Sequence, residues 1–242
     1  MTNDIAIAYE GEQQLVRAEE LSKLLKLKIN NDARQQLLVT ADKLALKIGG
    51  FSPLYADFTA STWQKRRNAG KQQGIVRACK PGAGVRILDA TAGWGRDAAV
   101  LASFGAHVIM LERQPVLATL LADALMRRDE HSKQVLQLEL HAVDAFNYLQ
   151  DLTQEYYPDV IYIDPMHPER QKTALVKKDL QVLQQLVKRD DKTDELIQLA
   201  KTKAKKRVVV KWPQHSPALL KPDTTVDGKT VRFDIYLPSL QV

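Results

Sequence analysis

The chain has 242 residues, 45% of them hydrophobic, with one cysteine, Cys79, and a net charge of +6. That length supports one large α/β domain, or one domain with a small appendage, and a lone cysteine excludes an internal disulfide and a Cys-rich zinc cluster. No apolar run approaches the roughly 18 residues of a membrane-spanning helix, and Met1-Thr2-Asn3-Asp4 lacks the basic-then-apolar start of an export signal, so a soluble cytoplasmic protein is expected.

Ile5-Ala6-Ile7-Ala8-Tyr9 reads as a strand, and Glu12 to Leu27 has helical apolar spacing through Leu15, Val16, Leu21, Leu24 and Leu25. Leu37-Leu38-Val39 and Leu44-Ala45-Leu46 flank Thr40-Ala41-Asp42-Lys43, which predicts a short hairpin. Residues 1–50 are therefore expected to form a small N-terminal α/β subdomain ending near Gly49-Gly50, and residues 51–80 a basic linking segment. From residue 81 to 242 the main domain alternates strand and helix. Strands are predicted at Val85–Asp89, His107–Glu112, Val135–His141, Asp159–Asp164, Arg207–Lys211 and Val231–Leu237. Helices are predicted at Asp97–Phe104, Pro115–Arg128, Asp144–Gln150 and Lys172–Leu186. This alternation implies a mostly parallel, Rossmann-like sheet with helices on both faces. Ligands of such sheets bind beyond the carboxyl ends of the strands.

Three strand ends carry acids. Asp89 closes the first strand of the main domain and opens the loop Ala90-Thr91-Ala92-Gly93-Trp94-Gly95-Arg96-Asp97. Gly93 and Gly95 let the main chain approach a ligand without a Cβ in the way; the alternative is a tight strand-to-helix turn and nothing more. The permissive dinucleotide pattern is also met. Asp97, however, puts negative charge where a pyrophosphate would sit. A cationic or zwitterionic tail, such as the methionine part of S-adenosylmethionine, suits that charge better.

Glu112 is spaced to accept from two ribose hydroxyls; alternatively it is a solvated acid paired with Arg113. Val143-Asp144 can hold an adenine ring through an amide and a carboxylate, or Asp144 can simply cap the next helix. Asp164-Pro165-Met166-His167-Pro168 has two prolines that remove amide donors, which leaves a rim rich in acceptors. An exocyclic base amine needs such acceptors, because its lone pair is delocalised into the ring. Asp164 and the Pro165 carbonyl are the candidate catalytic acceptors; a rigid loop without chemistry is the plainer reading.

Positive charge is segregated. Residues 61–80 carry Lys65, Arg66, Arg67, Lys71, Arg77 and Lys80 without an acid, as residues 201–211 carry Lys201, Lys203, Lys205, Lys206, Arg207 and Lys211. Lys65, Arg66 and Arg67 beside Trp63 are candidate RNA contacts, phosphate through the charges and base through the indole, or else a solvated helix face. The second group is expected to be half structural, with lysines capping the preceding helix. The histidines have no zinc-helix spacing, so no metal is expected.

Taken together, Asp89 to Ala98, Met110 to Arg113, Tyr162-x-Asp164-Pro165-Met166, Gln171-Lys172-x-Ala174-Leu175-Val176-Lys177-Lys178, Lys206 to Lys211 and Arg232 to Tyr236 resemble the bacterial ribosomal RNA small subunit methyltransferase J family. The resemblance covers roughly residue 50 to the C-terminus. It implies an S-adenosylmethionine-dependent methyltransferase domain over 81–242 that acts on the exocyclic N2 of one guanine in 16S ribosomal RNA, free or in the small subunit, with no membrane or metal partner. It also implies cofactor contacts from Arg96, Asp97, Glu112, Arg113, Val143, Asp144 and Asp164. His167 stands where the family is expected to carry phenylalanine, and Lys177 and Lys178 are placed to meet substrate. Rival readings are the same transfer to adenine N6, cytosine N4 or a protein glutamine amide, a nicotinamide-dependent oxidoreductase, and a non-catalytic RNA-binding module.

Overall fold

The computed structural model describes residues 5–165 and 192–239. The expected helix at Lys172–Leu186 and the candidate residues His167, Lys177 and Lys178 lie outside that range. At the N-terminus, β1 (Ile5–Tyr9) pairs in parallel with β2 (Gln35–Val39), and β2 forms the expected antiparallel hairpin with β3 (Leu44–Ile48). The helix α1 (Leu15–Leu25) ends at Lys26, which adopts φ 55°.

The second sheet has seven strands in the order β6-β5-β4-β7-β8-β10-β9. They are β4 (Arg86–Asp89), β5 (His107–Leu111), β6 (Leu138–His141), β7 (Val160–Ile163), β8 (Arg207–Pro213), β9 (Thr224–Val226) and β10 (Val231–Tyr236). Strands β4 to β8 are parallel; β10 is antiparallel to both β8 and β9. Counted from β4 the order is 3-2-1-4-5-7-6, a doubly wound sheet with one antiparallel strand inserted beside its edge. This is the expected mostly parallel α/β architecture.

Alternate residues of the central strands enter opposite cores, as the two-residue repeat of a strand demands. Ile87, Val108, Met110, Val160, Tyr162 and Val209 face one cluster, whereas Leu88, Ile109, Leu111, Ile161, Ile163, Val208 and Val210 face the other. The first is covered by α3 (Gly74–Cys79), α4 (Arg96–Ser103) and α5 (Pro115–Met126), the second by α7 (Ala145–Asp151) and α8 (Thr193–Lys203). Each fully buried aliphatic side chain stabilises the fold by roughly 1.5–3 kcal/mol. Both faces are dry.

The small sheet joins the first of these cores through Ile5, Ile7, Leu37, Val39, Leu44 and Leu46. Asp123 of α5 fastens it. The carboxylate is 3% exposed and takes Arg17 Nη2 at 2.6 Å, Arg127 Nε at 2.7 Å and the Leu44 amide at 3.1 Å. The segment 51–80 contains α2 (Ala60–Arg67) as well as α3, and both contribute to the core.

One predicted strand and the placement of one residue differ. The strand expected from Val135 begins only at Leu138, because α6 (Glu130–Val135), capped by Asp129 accepting from the Ser132 amide at 2.8 Å, occupies the preceding turns. Trp63, expected beside an RNA surface, is 2% exposed; it donates Nε1–H to Ser132 Oγ at 2.9 Å and stacks on His131. It is core, with no face left for a base. Among the described residues no helix is long and apolar enough to cross a membrane.

Candidate active site

The strand order reverses between β4 and β7, the point where a doubly wound sheet opens a crevice beyond its carboxyl edge. Asp89 ends β4, Glu112 follows β5 and Asp164 follows β7, so three strand-end acids meet there. A fourth strand end adds a cation: Lys211 stands on β8 one step beyond the paired residues Ile163 and Val210.

The loop after β4 is held from three sides. Asp89 Oδ1 accepts from the Thr91 amide at 3.1 Å, and Thr91 Oγ1 accepts from the Asp164 amide at 2.7 Å. Glu112 accepts from the Gly93 amide at 3.0 Å through one oxygen and from the Gln114 amide at 2.8 Å through the other. Gly93 and Gly95 adopt φ 55° and 70°, the left-handed region that favours glycine. At Gly95 a Cβ would lie 2.5 Å from Phe58 Cζ and 2.9 Å from Leu121 Cδ2, so this glycine is needed for packing as well as for the turn.

Beyond that loop lies an ion cluster. Asp97, in the first turn of α4, binds Arg66 Nη2 at 2.6 Å through Oδ1; Oδ2 accepts from Tyr162 Oη at 2.7 Å and from Lys211 Nζ at 3.1 Å. The same Nζ reaches Asp164 Oδ2 at 2.6 Å. Burial pushes Asp97 up, but Lys211, Arg66 and Tyr162 together outweigh it and hold the carboxyl well below the usual range. Burial dominates at Asp164 and leaves it raised despite Lys211, with Asp97 adding to the rise. Asp89 is raised to about 8, by burial first and then by the charges of Asp97 and Asp164 against the Thr91 hydrogen bond. Glu112 is also raised by burial, against the Gln114, Gly93 and Arg113 amides and the Arg113 charge. Lys211 is pushed up because Asp164 and Asp97 outweigh its burial. Among the described residues, Lys211 bridges Asp97 and Asp164, Arg66 pairs with Asp97, and Asp89 lies near enough to feel both acids.

The remaining candidates sit at the rim or turn away. Arg113 Nη1 approaches Asp144 Oδ2 at 3.5 Å, and Asp144 caps α7 by accepting from the Phe146 and Asn147 amides. Val143 and Arg96 are exposed, and Pro165 is buried immediately after Asp164. Lys65 is exposed on α2, while Arg67 donates to the Ser103 carbonyl at 3.1 Å and lies over the Phe104 ring. Arg66 has a side chain that is 42% exposed, and its guanidinium pairs with Asp97 of the site.

Lys211 is the residue that the sequence reading missed. Grouped with a basic run, it was expected to serve the preceding helix, yet Lys203 bonds the Leu152 carbonyl and Lys206 pairs with Asp159, while Lys211 enters the cluster. An apolar strand, Val208-Val209-Val210, closed by a charged residue is the same signal that marked Asp89, Glu112 and Asp164. A cavity of about 280 Å³ opens beside it, lined also by Arg66, Asp97, Gln73, Val231 and Phe233.

The family model of SAM-dependent methyltransferases matches residues 20–238. The solved SAM-dependent methyltransferase NGO1261 from Neisseria gonorrhoeae superposes with a TM-score of 0.73 and 30% identity, over 98% of this chain and 97% of that one. Ribosomal RNA small subunit methyltransferase J of Legionella pneumophila (strain Lens) is 57% identical over 233 residues, 96% of each chain. The protein of the same name from Coxiella burnetii (strain Dugway 5J108-111) is 44% identical over 98% of each chain. The fold, the acidic switch point and the family match define an S-adenosylmethionine-dependent methyltransferase. Within that class, the chain belongs to the ribosomal RNA small subunit methyltransferase J family, as the motifs in its sequence implied.

The site suits this cofactor. A sulfonium and an ammonium would be attracted to these carboxylates, and Glu112 presents two acceptor oxygens at the end of β5.

Proposed function

We propose that this enzyme transfers a methyl group from S-adenosylmethionine to the exocyclic N2 of a specific guanine in 16S ribosomal RNA, presented by the small subunit in the cytoplasm. The observation that carries this reading is the meeting of Asp89, Asp97 and Asp164 around Lys211 at the switch point. The 57% identical Legionella relative, a ribosomal RNA small subunit methyltransferase, supplies the substrate class.

The bound cofactor supplies an electrophilic methyl on sulfur. In this reading Asp89, Gly93, Gly95, Arg96, Asp97, Glu112, Arg113, Val143, Asp144 and Asp164 hold it. Asp164 and the Pro165 carbonyl accept the two N–H bonds of the target amine, drawing its lone pair out of conjugation and towards the methyl. The N–C bond forms as the S–C bond breaks, and N2 sheds one proton. Asp164, whose carboxyl burial holds above the usual range, is suited to receive it. The guanine must leave its stack first, which costs a few kcal/mol unless the RNA already exposes it.

Lys65, Arg66, Arg67, His167, Lys177 and Lys178 are assigned to RNA, with Arg66 also pairing with Asp97 in the site. Residues 1–50 and 51–80 are read as an N-terminal subdomain and a link that carry the catalytic domain, 81–242.

Asp164→Ala is the direct test of the catalytic role. Methyl transfer at saturating cofactor should fall by at least about 100-fold, while the variant still melts cooperatively. Unchanged turnover overturns the role of Asp164.

A further inference from the structure

The cavity beside Lys211 lies between the turn that joins α2 to α3 and the paired strands β8 and β10, and its walls differ in kind. Lys211 and Phe233 stand opposite one another in the β8–β10 register, so both project from the same face of the sheet. Phe233, Val231 and Ile75 supply an apolar wall, and Phe233 packs so closely on Gly74 that a Cβ there would lie 2.5 Å from its Cε2. Arg66, Gln73 and Lys211 supply a polar one. The Gln73 amide is fixed by its own turn: Nε2 donates to the Arg66 carbonyl at 2.9 Å and to the Gly70 carbonyl at 3.0 Å. Both of its N–H bonds are then used, and Oε1 accepts from no group among the described residues. A space of about 280 Å³ thus has a fixed acceptor, two cations and an aromatic ring on its walls. It adjoins the reaction centre, since Lys211 places its Nζ 2.6 Å from Asp164 Oδ2.

A base drawn out of its stack is read by stacking and by hydrogen bonds along its pairing edge. Guanine, adenine and cytosine all carry an exocyclic amine, but only guanine has a donor, N1–H, on the pairing edge beside it. Adenine N1 and cytosine N3 are acceptors, which a carbonyl oxygen repels. We propose that this cavity receives the target guanine and that Gln73 determines the specificity, its Oε1 accepting N1–H while Arg66 and Lys211 offer donors to O6. This deepens the functional reading above and rests on it. The strand order supports the placement. Glu112 and Asp144, assigned to the cofactor, follow β5 and β6 on one side of β4, whereas the cavity lies at β8 and β10 on the other. Donor and acceptor then meet at Asp164, which follows β7 between them. The exposed Lys71 and Lys229 stand close in sequence to the lining residues Gln73 and Gly228, where they bring positive charge for the flanking phosphates.

Two substitutions separate reading from support. Gln73→Lys keeps a donor for the Arg66 and Gly70 carbonyls and removes the acceptor; Gln73→Glu keeps the acceptor and removes the donor. NMR titrations at saturating S-adenosylhomocysteine compare guanosine 5′-monophosphate with 2-aminopurine riboside 5′-monophosphate, which retains the amine but lacks N1–H and O6. Wild type should prefer the guanosine compound by at least about tenfold, because the analogue leaves a polar group of the pocket unmet. Gln73→Glu should keep that preference, and Gln73→Lys should reduce it below about threefold. A purely structural Gln73 gives the reverse order. The proposal is overturned if wild type shows no preference or binds neither compound, if Gln73→Lys keeps the preference, or if folded Gln73→Glu loses it. It is equally overturned if Gln73→Lys weakens S-adenosylhomocysteine instead and leaves the preference intact, which would put the cofactor in the cavity. Should one variant fail to fold, the other decides alone. Wild type that forms no N2-methylguanosine in small subunits defeats the functional reading, whereas N2-methylguanosine formed without the binding preference defeats only this inference.

Discussion

Alanine at Gly95 would strike the loop on which the site depends, and the structure sets the size of the effect. The backbone there has φ 70°, and the added methyl would lie 2.5 Å from Phe58 Cζ, 2.8 Å from Cε1 and 2.9 Å from Leu121 Cδ2. Phe58 and Leu121 are 1% and 0% exposed, so neither side chain has room to swing aside. A non-glycine residue in the left-handed region costs about 1–2 kcal/mol, and overpacking a filled core adds about 1–3 kcal/mol. The sum, about 2–5 kcal/mol, lowers the melting temperature by roughly 4–20 °C in a chain of this size. Differential scanning calorimetry measures it. Cofactor affinity should weaken as well, because the loop also presents the Gly93 amide to Glu112. Gly82→Ala is the control: no atom lies within 4 Å of the methyl it would add, and its stability should stay within about 0.5 kcal/mol of wild type. A Gly95→Ala protein that melts with wild type would refute the packing argument.

Other outcomes follow from the buried charges. Asp89 keeps its proton to about pH 8 in the native state, whereas a free aspartate ionises near 3.8. The native state therefore binds a proton that the unfolded chain has released, and this stabilisation, full below pH 3.8, is lost as pH rises through about 8. Asp89→Asn should match wild type in urea melts near pH 4 and exceed it by about 2–4 kcal/mol at pH 9; equal stability at both pH values contradicts this. A cationic cofactor should displace that proton, so its binding enthalpy near pH 7 should vary with the ionisation heat of the buffer. Asp123→Ala leaves two guanidiniums without their carboxylate and the Leu44 amide without its acceptor. The loss, measured in urea, should be about 2–4 kcal/mol after allowance for the half-exposed arginines.

The fold was legible because its signals are local. Apolar runs ending in Asp89, Glu112 and Asp164 marked parallel strands, and the edge they share follows from the alternation of strand and helix. The loop glycines were readable for the same reason, since φ above zero selects residue type directly. Partnerships across sequence were not. Arg66 meets Asp97 across 31 residues and Lys211 meets it across 114, and a charge run looks the same whether its members face solvent or a buried carboxylate. Trp63 misled in a similar way: its basic neighbours suggested a surface, while its own ring was held by Ser132 and His131 on α6, a helix that the sequence reading had not predicted.

The claim on which the account turns is the nature of the methyl acceptor. Small subunits purified from cells lacking the enzyme, incubated with it and with methyl-labelled S-adenosylmethionine, can be digested to nucleosides and resolved by chromatography. Label should appear in N2-methylguanosine alone and vanish with Asp164→Ala. Label in N6-methyladenosine or N4-methylcytidine, or none in RNA at all, would contradict the account.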